Sequence, residues 1–160
     1  MDKVARIIGE ILRDRGCTVS VAESFTSGRV ASTLASVPGA SDYFIGGVVA
    51  YSKDIKRDVL GVDSKTMDRN GVVHHTTAIE MAQGVSKVMS SDYGLSTTGL
   101  AGPGGGTPET PVGTVCFAIF GPGFINSYTA TIEGDRNEVV CSSVELILEK
   151  FKNTLANSIE

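Results

Sequence analysis

The chain has 160 residues and a mass of 16.7 kDa, with 20% charged residues and a formal net charge of -4. That length buries one continuous core without disulfide or metal staples, so a single domain over residues 1–160 is expected. The mild negative balance excludes the basic footprint of a nucleic-acid or anionic-membrane binder.

The opening segment MDKVARIIGEILRDRG places Val4, Ile7, Ile8, Ile11 and Leu12 at helical spacing, and Gly16 sits where a left-handed cap belongs. Its charges run through the apolar pattern, which argues against a signal peptide. No apolar run reaches bilayer-spanning length, so a soluble protein is expected. Cys17, Cys116 and Cys141 are odd in number, far apart and without a CxxC pair. They suggest neither a disulfide framework nor a zinc site, and they point to a reducing, cytoplasmic setting. TVSVA (18–22) reads as a short strand, and SGRVASTLASV (27–37) as a helix whose amino end lies close to Ser24. FIGGVVAY (44–51) is a second strand. SKDIKRDVLG follows as a short helix, with Ser52 as cap, Gly61 as stop and Lys56 on its second turn. TTAIEMAQGVSKVM carries a capping-box pattern, Thr77 followed by Glu80, ahead of a third amphipathic helix.

LSTTG is the third strand, and GLAGPGGGTPETPVG, with six glycines and three prolines in fifteen residues, can only be a loop. TVCFAIF and INSYTATI flank GPGF as an antiparallel hairpin, and Val140, Val144, Ile147, Phe151 and Leu155 mark the buried face of a closing helix. This order predicts a three-layer α/β/α domain around a mixed five-stranded sheet.

Ser24, between a strand's carboxyl end and a helix's amino end, is a candidate nucleophile beside N–H groups able to hold an oxyanion. The competing role for Ser24 or Thr26 is simply to cap the helix. The only histidines, His74 and His75, are adjacent in a polar, loop-like stretch, where they are expected in solvent and make poor co-ligands. A Ser-His-Asp triad is therefore not expected. The remaining base for Ser24 is a lysine whose pKa is lowered by burial. Lys56 has the better placement, and Lys53 at the strand–helix turn is the alternative. The glycine-rich loop has no Gly-Lys-Ser/Thr ending and leads into a strand, so neither ATP nor NAD binding is inferred. Its main-chain amides are suited to an anion or a planar amide. Thr98 could donate a hydroxyl into the same cleft, and Arg136 adds positive charge at a helix start whose N–H groups favour a phosphate.

The stretches VAESFTSG, GGVVAYSKDIKRDVLGV, TTGLAGPGGGTPETPVGTV and EGDR resemble, in this order and at similar spacing, the motifs of the CinA carboxy-terminal family of nicotinamide-nucleotide amidases. The resemblance implies an anticodon-binding-domain-like mixed sheet. It also implies hydrolysis of the carboxamide of nicotinamide mononucleotide to nicotinic acid mononucleotide and ammonia, in pyridine nucleotide salvage, without metal or organic cofactor. Residue by residue it implies Ser24 as nucleophile and Lys56 and Tyr51 as the residues that activate it. Thr26, Thr98, Gly99, Gly102, Gly104, Gly105 and Arg136 are implied at substrate-handling positions. It further implies the stand-alone form, without the amino-terminal domain of larger members.

Three positions depart from the family pattern. Phe25 and Ser27 stand where the family has a cysteine and a glycine, and Val140 replaces a second basic residue after the GDR motif. The alternatives are a member that binds a nucleotide without turnover and an amidase for a different nucleotide amide. The expected partner is a small nucleotide. A sheet edge left apolar and exposed would offer a surface for a homo-oligomer.

Overall fold

A computed structural model describes residues 2–158. The elements run α1 (Asp2–Arg15), β1 (Val19–Glu23), α2 (Arg29–Ala35), a 3-10 turn (Ala40–Asp42), β2 (Phe44–Val49), α3 (Lys53–Asp58), α4 (Ser64–Asn70), α5 (His75–Met89), β3 (Tyr93–Gly99), β4 (Thr114–Gly121), β5 (Phe124–Thr131) and α6 (Arg136–Asn157). The five strands form one mixed sheet in the order β2-β1-β3-β4-β5. Strand β1 pairs in parallel with both β2 and β3, and β4 and β5 continue antiparallel.

Side-chain alternation sorts the core into two layers. Val19, Val21, Leu95, Val115, Phe117 and Ile119 face one way and pack with Ile8 and Leu12 of α1, Val30 and Leu34 of α2, and Ile147 and Phe151 of α6. The opposite face carries small residues, Ala22, Cys116 and Ala118, so that α5 can lie close with Ala78, Met81, Ala82 and Val85. Successive residues of a strand point side chains to opposite faces, which is why Glu23 and its neighbour Thr97 turn toward α2 while Ser96 and Thr98 turn toward α5.

The chain leaves β1 for β2 on one side and reaches β3 on the other. A crevice therefore opens beyond the carboxyl ends of the parallel strands, where α/β sheets hold their ligands.

The structure adds two elements to the expected order and moves one cap. The 3-10 turn and α4 carry too little apolar periodicity to be visible in the sequence, and only Met67 of α4 is buried. The Thr77–Glu80 capping box does not form. The cap of helix α5 lies three residues earlier, at His74, whose ring accepts the Thr76 amide. Thr77 donates to the Gly71 carbonyl, and Glu80 accepts from the Asp63 amide and the Thr66 hydroxyl. His75 is exposed as expected, but His74 is half-buried and its pKa is lowered, first by burial and then by the neighbouring His75.

Candidate active site

Ser24 follows β1 directly, and its amide donates to the Thr97 carbonyl of β3 at 3.0 Å. Its hydroxyl does not cap α2. The helix begins after Gly28, at φ 94, with no capping side chain of its own. The cap comes from upstream: the Glu23 carboxylate, 1% exposed, accepts the amides of Gly28 (3.0 Å), Val30 (3.1 Å) and Ala31 (2.8 Å). It also accepts the Thr26 hydroxyl at 2.6 Å. Ser24 Oγ is thereby released from local duty, and its one side-chain partner is Lys56 Nζ at 3.0 Å.

Lys56 sits on α3, whose cap Ser52 accepts the Ile55 amide. It is 1% exposed, and burial lowers its pKa from 10.5 to about 8. Nζ also donates to the main-chain carbonyls of Ala50 (2.6 Å) and Tyr51 (3.3 Å). With the ammonium, all three protons are placed. With the neutral amine, the two carbonyls hold both N–H bonds and the lone pair faces Ser24. Lys53 is the other amine at the cleft, and it is committed to Asp68 of α4 at 2.6 Å on the surface.

These groups line a cleft of about 390 Å³ beyond the strand ends, closed on the far side by Gly99, Gly102 and Gly104 of the glycine-rich loop. Among the described residues its lining includes Lys53, Lys56 and Arg136 and no carboxylate, a local positive potential within an acidic chain. The amides of Gly102, Gly104 and Gly105 find no acceptor among the described residues, although Gly105 lies outside the cleft wall. Arg136 donates to the Gly102 carbonyl at 2.8 Å and to the Tyr51 hydroxyl at 3.1 Å, joining the loop to the end of β2.

Three side chains and one helix start are used differently from the sequence expectation. Thr98 lines the cleft, but its proton goes to the Val72 carbonyl at 2.7 Å, so it offers lone pairs to a ligand and no donor. The Thr26 hydroxyl is fully buried between Glu23 and Thr97 and does not reach the cleft. Its amide, like that of Phe25, has no acceptor among the described residues. The Tyr51 hydroxyl pairs with Arg136, and only the main-chain carbonyl of Tyr51 reaches Lys56. The start of α6 is closed by its own capping box, in which Asp135 accepts the Glu138 amide and Glu138 accepts the Asp135 amide. The charge there available to a phosphate is that of Arg136.

Phe25, 5% exposed, turns into the core against Gly99 and contributes an edge to the cleft. Ser27 takes the left-handed φ of 52 that a glycine would adopt freely. Glu23 escaped the sequence reading. Its signal was present as a carboxylate ending an apolar strand, five positions before a helix start with no capping residue.

Among the described residues, no group of three or more His, Cys, Asp or Glu side chains comes together to hold a metal. The three cysteines are free. No described helix is long and apolar enough to cross a membrane.

The model of the CinA C-terminal domain matches residues 1–155. The chain belongs to the CinA C-terminal domain family. A CinA-like protein of Thermotoga maritima is 43% identical over 155 residues, 96% of this chain and 38% of that protein. A putative competence-damage inducible protein of Desulforudis audaxviator is 53% identical over 114 residues, 71% of this chain and 28% of that protein. The chain thus spans about a third of the length of these CinA relatives. Among solved structures, the competence damage-inducible protein A of Klebsiella pneumoniae superposes with a TM-score of 0.94 at 30% identity, covering 98% of both chains. The competence/damage inducible protein CihA of Agrobacterium tumefaciens gives 0.92 at 34%, covering 97% of this chain and 94% of that one. The α/β fold of the family is therefore that of this chain.

Proposed function

We propose that this CinA domain is an amidohydrolase that converts nicotinamide mononucleotide to nicotinic acid mononucleotide and ammonia by a Ser-Lys mechanism. The observation that carries the reading is the 3.0 Å contact between Ser24 Oγ and a buried lysine of pKa about 8. Its two carbonyl partners point the lone pair of the neutral amine at the serine.

The neutral Lys56 amine takes the Ser24 proton as Oγ attacks the carboxamide carbon. The amide of Phe25, which lacks another acceptor and belongs to a residue lining the cleft, receives the developing oxyanion, where one such donor contributes on the order of 3 kcal/mol. Lys56 then passes its proton to the departing nitrogen. Thr98, presenting lone pairs, accepts from the carboxamide N–H and holds that nitrogen toward Lys56. Ammonia leaves an acyl ester on Ser24. Water attacks the ester while Lys56 takes its proton, and the acid and the free serine result. Arg136, with the Gly102 and Gly104 amides, grips the nucleotide phosphate.

The test is ammonia release from nicotinamide mononucleotide by the purified protein beside Ser24→Ala and Lys56→Ala. The reading requires a loss of about a thousandfold or more in each variant with the nucleotide still bound. Full activity in Ser24→Ala would remove the nucleophile. The Phe25 edge on the cleft favours, as a second reading, a different nucleotide amide. A panel of amides that includes the phosphate-free riboside separates the two.

A further inference from the structure

Glu23 joins the two halves of the site. Its carbonyl accepts the Ala50 amide at 2.7 Å, and the Ala50 carbonyl in turn accepts Lys56 Nζ. Its carboxylate gathers the amides of Gly28, Val30 and Ala31 together with the Thr26 hydroxyl. Since the Thr26 proton is spent on Glu23, the Thr97 hydroxyl donates to Thr26 Oγ1 at 2.7 Å and fastens the turn to β3. A buried carboxylate with four donors is fully satisfied. The amides after Ser24 are therefore divided: those of Gly28, Val30 and Ala31 belong to Glu23, those of Ser27 and Arg29 close turns on the Ser24 and Thr26 carbonyls, and those of Phe25 and Thr26 have no acceptor among the described residues.

We propose that Glu23 is a positioning residue of the amidase site. By taking over the start of α2 it keeps Ser24 out of capping and leaves the Phe25 amide, at the cleft wall, for the acyl oxygen. The inference rests on the amidase reading above. A glutamine in its place has one acceptor oxygen for four donors, and its NH2 group opposes backbone N–H groups. The turn then recruits nearer acceptors, Ser24 Oγ first, as ordinary helix starts do.

The experiment compares wild type and Glu23→Gln in two assays. One is ammonia release from nicotinamide mononucleotide. The other is affinity for pyridine-3-boronic acid, which forms a tetrahedral adduct with an activated serine and has no scissile bond. Calorimetric binding of nicotinic acid mononucleotide reports the rest of the pocket. The expected result for Glu23→Gln is kcat lowered by about a hundredfold, boronate affinity lowered in proportion, and KM and product affinity within about threefold. A merely structural role would lower the melting temperature without that split. A Glu23→Gln protein with wild-type kcat and boronate affinity overturns the proposal and leaves the amidase reading standing. If wild type releases no ammonia but binds the boronate, the substrate reading falls, and the boronate affinity of Glu23→Gln alone decides the role of Glu23. A wild type inert in both assays overturns both. Should Glu23→Gln not fold, Thr26→Val removes one donor from the carboxylate. It is expected to lower kcat about tenfold with KM held, and an unchanged kcat refutes the positioning role.

Discussion

Lys56 Nζ stands 3.0 Å from Ser24 Oγ across thirty-two positions of chain, with Ser24 in the turn after β1 and Lys56 on the helix that follows the neighbouring parallel strand β2. The pair exists because β1 and β2 lie side by side in register, with Glu23 opposite Val49, so that the residues following each strand meet above the sheet.

The lowered pKa of Lys56 sets the pH behaviour. On the proposed mechanism the neutral amine is the base, so kcat/KM should climb tenfold per pH unit below about 8 and level off above it. Stability moves the same way. In the folded protein the amine binds its proton more weakly than in the unfolded chain, so burial costs stability while both are charged. That cost is relieved as pH rises from about 8 toward 10.5. Urea unfolding of wild type against Lys56→Met should show the difference shifting toward wild type across that window, by at most about 3 kcal/mol. A flat difference would mean that the amine titrates normally.

Arg136 and Tyr51 share a contact at the mouth of the cleft, and each is tested by one substitution. Arg136→Leu should weaken nicotinamide mononucleotide by about ten- to a hundredfold and leave the riboside unchanged within about twofold, measured by calorimetry. Tyr51→Phe keeps the carbonyl that holds Lys56 and loses only the hydroxyl, so KM should rise a few-fold with kcat nearly intact. A large fall in kcat would give the phenol a direct part in proton transfer.

Ser27 occupies a left-handed conformation at φ 52, which costs a residue with a Cβ about 1 kcal/mol. Its hydroxyl contacts to the carbonyls of Ser24 and Phe25, both 3.4 Å, are too long to offset this. Ser27→Gly should therefore stabilise the protein by roughly 0.5–1 kcal/mol, read as a higher urea midpoint at unchanged m-value.

Phe25 supports the root of the glycine-rich loop: a Cβ added at Gly99 would stand 2.9 Å from its ring. Phe25→Cys should cost about 2–4 kcal/mol by opening a void at that contact, while enlarging the cleft beside Ser24. Differential scanning calorimetry and a panel of bulkier amides measure the two effects separately.

Most of the architecture was readable because the periodic segments are long or sharply punctuated. Ser52 and Gly61 bracket α3 and so put Lys56 on its second turn, and the Pro122-Gly123 turn forces the β4–β5 hairpin. What escaped depends on contacts that composition does not carry. Helix α4 has one buried residue to announce it, and Thr77 and Glu80 were drawn away from each other by Gly71 and Asp63. The choice between Lys53 and Lys56 turned on Asp68, fifteen residues from Lys53, which holds it at the surface. The direction of the Thr98 hydroxyl turned on the carbonyl of Val72, invisible in any reading of side chains.

The two oxygens that orient the amine belong to the peptide backbone of positions 50 and 51, not to any side chain there. Drift at those two positions can therefore erase sequence likeness while the basicity of the lysine persists. Distant relatives that keep the bend after the second strand can retain a buried amine held in this way under an unrecognisable local motif.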